Sequence, residues 1–128
     1  GERGGLRRID RRRLLAVLLL AAARAARAAP DEMQRARIER LIHFVEIQNN
    51  LVFVRNGKDY SCREAALFLR AKYAKMGGHV TTAAQFIDQI ASRSSTTGEI
   101  YKVRFADGRL VPAAKLLRDE LVRMDRER

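Results

Sequence analysis

The first regular pattern of apolar and polar positions lies at residues 31–50, in DEMQRARIERLIHFVEIQNN. Its apolar residues recur every three or four positions, with charged residues between them. This spacing places one apolar set on a single side of a helix, namely Ile38, Leu41, Ile42 and Val45. Asp31 suits an N-cap, because its carboxylate can accept from the free amides of a helix start. The pattern predicts an amphipathic helix over residues 32–48.

The next pattern is a short β-branched and aromatic run, LVFVR at residues 51–55. It ends at Asn56-Gly57, a pair that favours the positive φ angles of a tight turn. The sequence therefore predicts a strand that leads into a turn. The KDYS segment after the turn is too short to predict a returning strand.

Two further helices are predicted from capping patterns. Ser61 and Glu64 stand three residues apart, as in a capping box, where each side chain accepts from the backbone amide of the other residue. The helix that begins there is expected to end at Gly77-Gly78. Thr82 and Gln85 repeat the spacing and predict a second box at the start of a third helix.

The last part of the chain predicts a strand and a final helix. IYKVRF at residues 100–105 alternates between apolar and basic residues, as a half-buried strand does. Asp107-Gly108 predicts a turn, after which RLV is a brief return strand. Pro112 suits the first turn of a helix, because its missing N–H costs nothing there.

The order is helix, strand, helix, helix, strand or hairpin, helix. It predicts an α+β fold with about four helices packed on a small antiparallel sheet. The 47% apolar composition is enough for a core, and no repeat or boundary divides residues 29–128. This range is therefore predicted to form a single domain, preceded by a cleavable signal segment.

Residues 1–28 have the layout of a secretory signal peptide. A basic stretch, Arg7 to Arg13, precedes an uncharged apolar run from Leu14 to Ala23, and Ala26-Arg27-Ala28 then gives an A-x-A cleavage site. The apolar run is too short to span a bilayer, which takes about 20 residues. The layout predicts export to the periplasm, cleavage after Ala28 and a mature chain without a transmembrane helix.

Other interpretations of this segment stay open. The general secretory route is favoured, but Arg11-Arg12-Arg13-Leu14-Leu15 resembles the twin-arginine export motif. The segment is alternatively an amphipathic helix of the mature protein, although its apolar run leaves no polar face for water. It is alternatively an Arg-rich arm for nucleic acid.

The formal net charge of +11 suggests nucleic acid only if the positive charge lies on the folded domain. Residues 1–28 hold eight arginines and two acids, Glu2 and Asp10, so more than half of the excess precedes the domain. The chain has no Trp, and Tyr101 and Phe105 are expected to point inward, which leaves no aromatic platform for bases. Nucleic acid is therefore a disfavoured partner.

Three blocks carry a family resemblance: an R-N-G turn before an E-A-A helix, an F-I-D-x-I-A-S-x-S-S segment, and a Y-x-V-R-F-x-D-G strand and turn. Together they cover most of residues 50–124. They resemble the YfeK-like family, small exported bacterial proteins classed as a domain of unknown function. The resemblance implies an envelope protein with a signal peptide before its domain, and it implies no activity.

The single cysteine, Cys62, cannot form a disulfide within its own chain. At the first position of a helix, free amides and the helix dipole are expected to lower the pKa of its thiol. The favoured interpretation is a partly buried structural residue. The alternatives are a disulfide to a second chain, which would make a dimer, and a thiol enzyme with His43 or His79 as the base.

The remaining chemistry predicts no catalytic, cofactor-binding or metal-binding residue. The two histidines show no H-x-x-x-H or H-E-x-x-H spacing. The capping box accounts for the carboxylate of Glu64, and the turn before Gly108 accounts for that of Asp107. Asp88 is expected to face solvent or pair with an arginine. General acid–base catalysis needs two groups within mutual reach, which no pattern here indicates.

The segment SRSSTTGEIYKVRF, with the turn after it, is the candidate binding surface. Hydroxyl groups lead into a strand whose exposed face is basic, which suits an envelope protein or an anionic envelope component. Its predicted contact residues are Arg93, Ser94, Ser95, Lys102, Arg104 and Arg109. The favoured function is an exported, non-catalytic binding protein. The alternative is a cytosolic nucleic-acid-binding protein that uses its N-terminal arm.

Overall fold

The structure, a computed structural model, describes residues 31–127. In chain order its elements are α1 (Glu32–Glu46), β1 (Leu51–Arg55), β2 (Lys58–Tyr60), α2 (Cys62–Met76), a 3₁₀ turn (Gly77–His79), α3 (Ala83–Gln89), β3 (Lys102–Phe105), β4 (Leu110–Pro112) and α4 (Ala113–Arg126). The predicted signal segment, residues 1–28, lies outside the described residues. None of the described helices is long and apolar enough to cross a membrane.

The four described strands form one antiparallel sheet in the order β2-β1-β3-β4. Four α-helices accompany it within residues 31–127, so the predicted α+β fold is confirmed. In the register of the sheet, Phe53 lies opposite both Tyr60 and Val103. Because side chains alternate along a strand, these residues share one face, which we call the inner face.

The hydrophobic core lies between the inner face and the helices. Phe53 and Val103 reach it from the sheet, and Val103 is completely buried. The predicted stripe of α1 is also completely buried, namely Ile38, Leu41, Ile42 and Val45. The opposite, outer face carries half-buried residues instead, namely Val52, Val54, Lys102 and Arg104.

The capping predictions are confirmed at α2 and changed in detail at α3. The Ser61 hydroxyl accepts from the Glu64 amide at 3.1 Å, and the Glu64 carboxylate accepts from the Ser61 amide at 3.2 Å. At α3, Thr82 accepts from the Gln85 amide, but the Gln85 side chain reaches the amide of Thr81 at 2.7 Å. The Gln85 side chain therefore bonds the residue before the N-cap instead of the N-cap itself, so the second capping box is incomplete.

The β1–β2 hairpin is a structural feature that the sequence pattern left out. Asn56 and Gly57 have φ angles of 51° and 76°, the values that a tight hairpin turn requires. The short KDY segment then pairs with β1 as strand β2. The turn, rather than the length of the second strand, brings the two segments together.

Candidate functional site

An apolar cavity of about 240 Å³ lies between the inner face of the sheet, α2 and the start of α4. Aliphatic and aromatic side chains form most of its wall, including Phe53, Tyr60, Ala65, Leu69 and Leu117. We call it the apolar cavity. Its lining suits a hydrocarbon group better than water.

A second, polar cavity of about 390 Å³ lies between the C-terminal half of α2 and the loop at residues 94–97. Its polar lining residues are Asn56, Lys72, Lys75, Ser94, Ser95 and Thr96. Three further residues, Arg55, Phe68 and Tyr101, line both cavities. The two cavities therefore adjoin.

Arg55, the last residue of β1, stands where the cavities meet. Its guanidinium carbon lies 4.1 Å from the ring centroid of Phe68 and 4.9 Å from that of Tyr60. It donates a hydrogen bond of 3.1 Å to the Tyr60 hydroxyl. A cation is attracted to the face of an aromatic ring, so the two rings hold the guanidinium in place. No carboxylate among residues 31–127 forms an ion pair with it.

Lys72 on α2 is a buried cation, only 7% exposed. Its ammonium group donates to the Arg93 carbonyl at 2.8 Å and to the Tyr101 hydroxyl at 3.0 Å. Burial, and then the positive charge of Arg55, lower the pKa of Lys72 below its ordinary value of 10.5. Burial also raises the pKa of Tyr101. The two positive side chains thus lie near one another without a described acidic partner.

The loop that closes the polar cavity is tied to the β1–β2 turn. Thr97 donates to the side-chain oxygen of Asn56 at 2.7 Å, while the Asn56 amide donates to the Ser94 hydroxyl at 3.4 Å. The same hydroxyl accepts from the backbone amides of Thr96 and Thr97. This wall is therefore held by the side chain of Asn56.

The structure distributes the six predicted contact residues over three places. Ser94 and Ser95 line the polar cavity. Arg93 joins them through its backbone carbonyl, which holds Lys72, although its own side chain is exposed. The others lie on the outer face of the sheet or at the β3–β4 turn, namely Lys102, Arg104 and Arg109.

Two of these arginines already have acidic partners. Arg104 binds both carboxylate oxygens of Asp59, at 2.8 and 3.2 Å, and these hydrogen bonds hold the pKa of Asp59 below 3.8. The backbone amide and guanidinium of Arg109 likewise lower the pKa of Asp107. Their charge is partly neutralised, so the outer face is less basic than the sequence pattern indicates.

The thiol of Cys62 is buried at the start of α2. Its side chain is 7% exposed, and Sγ lies 3.2 Å from the Leu51 carbonyl oxygen. Burial raises the pKa of this thiol above 9.0, whereas the helix start alone predicts a lowered pKa. Desolvation therefore outweighs the backbone hydrogen bonds that would lower the pKa. A disulfide to a second chain stays a prediction, and it would require this helix start to open.

The remaining candidate residues are the two histidines and Asp88. His43 lies 3.5 Å from the carboxylate of Glu46, and His79 is exposed in the 3₁₀ turn. Asp88 lies 3.6 Å from Arg118, one of the two arrangements expected for it. Within residues 31–127, no group of three His, Cys, Asp or Glu side chains is arranged to hold a metal ion.

Sequence reasoning missed the two cations at the centre of this site. Lys72 lies seven residues after Ala65 and three after Leu69, on the buried stripe of α2. A lysine at an apolar position of a helix is a signal that pattern analysis can find. Arg55 gave no such signal, because its position beside Phe68 depends on how α2 packs on the sheet.

Comparison with known proteins places the chain in a family. A family of unknown function, DUF5329, matches residues 32–125. "Uncharacterized protein YfeK" of Salmonella typhimurium (strain LT2) is 38% identical over 86 residues, which cover 67% of this chain and 72% of that protein. No solved structure matches the chain significantly. The resemblance to YfeK-like proteins is thus confirmed, and the chain belongs to the family of unknown function DUF5329.

Proposed function

We propose that this chain is an exported, non-catalytic domain that acts in the periplasm and binds a component of the cell envelope. The layout of residues 1–28 supports export, because a basic stretch, an apolar run and an A-x-A site follow in that order. The general secretory route is favoured and the twin-arginine route is the alternative.

The observation that carries the binding role is the charge of the polar cavity. Arg55, Lys72 and Lys75 line it, and none of its described lining residues is acidic. Like charges that lie close together disfavour one another, most of all where one is buried. An anionic group in the cavity would offset both the burial of Lys72 and its repulsion from Arg55.

The polar cavity replaces the outer face as the centre of the proposed binding surface. Ser94 and Ser95 remain part of it, and Arg93 contributes its carbonyl. Lys102 and Arg104 lie on the other face of the sheet, where Asp59 already pairs with Arg104. They serve as a rival surface in the test below.

The contacts of the reactive groups support a non-catalytic role. Cys62 is buried beneath the Leu51 carbonyl, and Glu64 is held by the capping box. His43 is on α1 and pairs with a glutamate of the same helix. A nucleophile and its base must lie within hydrogen-bonding reach, and these groups belong to separate contacts.

The first test is the intact mass and location of the protein in fractionated source cells. Export predicts a chain that starts at Ala29 in the periplasmic fraction. A chain that keeps residues 1–28 in the cytosol would overturn the proposal and favour the nucleic-acid-binding alternative. That alternative predicts duplex binding that falls steeply with salt and is lost when residues 3–27 are removed.

The second test concerns the binding surface. The protein is used to capture envelope components from its own periplasmic and membrane fractions, with three versions compared. Lys75→Glu reverses a charge in the polar cavity, while Lys102→Glu is the matched change on the outer face. A specific component lost only with Lys75→Glu supports the polar cavity. Loss only with Lys102→Glu would move the binding surface back to the outer face.

A further inference from the structure

The two adjoining cavities offer environments of different polarity to one molecule. Phe68 and Tyr101 line both, and their rings meet edge to face with centroids 5.7 Å apart. On one side of these rings the wall is mostly hydrocarbon. On the other side it carries ammonium, guanidinium and hydroxyl groups. A molecule that fills both cavities therefore has an apolar end and a polar end.

The size of the apolar cavity limits the apolar end. An engineered cavity of about 150 Å³ with an apolar lining stays dry and binds benzene. By that scale, the apolar cavity of about 240 Å³ holds roughly ten carbon atoms. One hydrocarbon chain of this length fits the volume.

The donors in the polar cavity determine the charge of the other end. The Lys72 ammonium group has three N–H donors, and two of them are used by the Arg93 carbonyl and the Tyr101 hydroxyl. Arg55 uses one of its five donors on the Tyr60 hydroxyl. Hydrogen bonds from these cations are strongest to an ionised acceptor, so a carboxylate or phosphate suits this position.

The acidic residues around the cavities do not neutralise these cations. Glu64 lines the apolar cavity, but its carboxylate accepts from the Ser61 amide at 3.2 Å in the capping box. No other acidic side chain of the described residues lines either cavity. The combined wall is positively charged at one end only.

We propose that the two cavities form one site for a single-chain amphipathic anion, with its hydrocarbon tail in the apolar cavity and its anionic head between Arg55, Lys72 and Lys75. This inference rests on the proposed binding function and names its ligand class. A fatty acid and a single-chain lipid with a phosphate head share this chemistry, and the experiment distinguishes them.

The experiment is titration calorimetry of the purified full chain with probes below their micelle concentrations. Decanoate and decyl phosphate each contain ten carbon atoms and differ in the head. Decanol has the tail without the charge, while acetate and inorganic phosphate have the charge without the tail. We expect saturable one-to-one binding of decanoate, decyl phosphate or both, with at least tenfold weaker binding of the other three probes.

A series of shorter carboxylates measures the tail contribution. Each methylene buried in the apolar cavity strengthens binding about fourfold. The gain is expected to continue until the tail has roughly ten carbon atoms and then to stop, because the cavity is filled. Affinity that ignores tail length, or decanol that binds as tightly as decanoate, would overturn the inference.

Variants locate the two ends. Arg55→Met and Lys72→Met are each expected to weaken decanoate binding roughly tenfold. Lys102→Met removes an equivalent charge from the outer face and is the matched control, with unchanged affinity. Ala65→Leu fills part of the apolar cavity and is expected to shorten the longest tail that still gains affinity. Circular dichroism checks that each variant is folded.

Failure of this ligand class can be distinguished from failure of the proposed function. If none of the amphipathic probes binds while the chain is periplasmic and captures an envelope component through Lys75, this ligand class is wrong and the binding function stands. If decanoate binds but Arg55→Met and Lys72→Met leave its affinity unchanged, the assigned site is wrong. If decanoate binds as proposed to a chain located in the cytosol, the proposed function fails and the ligand class stands.

Discussion

Arg37 on α1 and Asp125 on α4 are joined by two hydrogen bonds, of 2.9 and 2.8 Å, across 88 residues of chain. The Arg37 side chain is only 18% exposed, whereas that of Asp125 is 46% exposed. The pair joins the first described helix to the last, with the arginine end shielded from water and the carboxylate end exposed.

Arg37→Met tests this link. We expect the free energy of unfolding to fall by about 1 kcal/mol, the upper end for a partly exposed pair, because one guanidinium nitrogen donates to both carboxylate oxygens and the arginine is partly shielded from water. Chemical denaturation measures the change. Arg35→Met is the control on the same helix, since its contact with Glu32 is 3.8 Å long and exposed, and it should change little. An equal loss in both variants would contradict the assigned role of Arg37.

The lowered pKa of Lys72 predicts a pH-dependent contribution to stability. Below its folded-state pKa, both the folded and the unfolded protein hold the proton, and the contribution is constant. Between that pKa and 10.5, the unfolded state holds more protons, so the free energy of unfolding rises with pH. The stability of the wild type relative to Lys72→Met should therefore rise with pH over this interval.

Denaturation curves of both proteins at several pH values measure this difference. Tyr101 and Cys62 titrate in the same range and oppose the rise, because burial raises their pKa values. Both proteins retain Cys62, so its effect cancels in the comparison. Tyr101 accepts a hydrogen bond from Lys72 and is coupled to it, so the comparison is made in a Tyr101→Phe background, where this titration is absent. Lys75→Met changes an exposed lysine on the next turn of the helix. The stability of this variant relative to Lys72→Met should rise with pH in the same way as that of the wild type. A difference that stays flat up to pH 10.5 would mean that Lys72 is not desolvated.

The buried thiol predicts slow alkylation. Because the thiolate is the reactive form, a raised pKa and 7% exposure should make Cys62 react with iodoacetamide more slowly than free cysteine at pH 7. The rate should rise with pH beyond 9.0, and the denatured protein should react like free cysteine. Labelling as fast as free cysteine in the folded protein would revive the thiol-enzyme interpretation.

The turn of the β1–β2 hairpin predicts a contrast between two glycines. Gly57 has a φ of 76° and open space around its Cα, so Gly57→Ala should cost about 1 kcal/mol from backbone strain alone. Gly78 also has open space but no positive φ, so Gly78→Ala should leave stability unchanged or raise it by up to about 1 kcal/mol. Thermal unfolding measures both. Equal effects would exclude the proposed strain at Gly57.

Much of the fold is readable from local chemistry. Ser61 with Glu64 begins α2, and Asn56-Gly57 makes a hairpin turn, because these signals act over three or four residues. The strand β2 was missed because KDYS is short and Lys and Asp are depleted in strands, so the segment pairs only through the turn. The end of α1 at Glu46, two residues before the expected end, is the usual uncertainty of a helix boundary.

The site was harder to predict because it depends on distant contacts. Lys72 meets the carbonyl of Arg93 21 residues away and the hydroxyl of Tyr101 29 residues away. Arg104 appears free in the sequence, yet its acidic partner, Asp59, is 45 residues away. Spacing along the chain indicates which face a residue occupies, but not which distant group lies opposite.

The short edge strands of the sheet also have a consequence for solubility. β2 and β4 have three residues each, and β4 ends at Pro112, which has no N–H to offer a neighbouring strand. Long, flat edge strands pair with strands of other molecules and so promote aggregation, whereas short edge strands with proline resist this pairing. We therefore expect the folded domain to resist edge-to-edge aggregation through this sheet, even when it is concentrated.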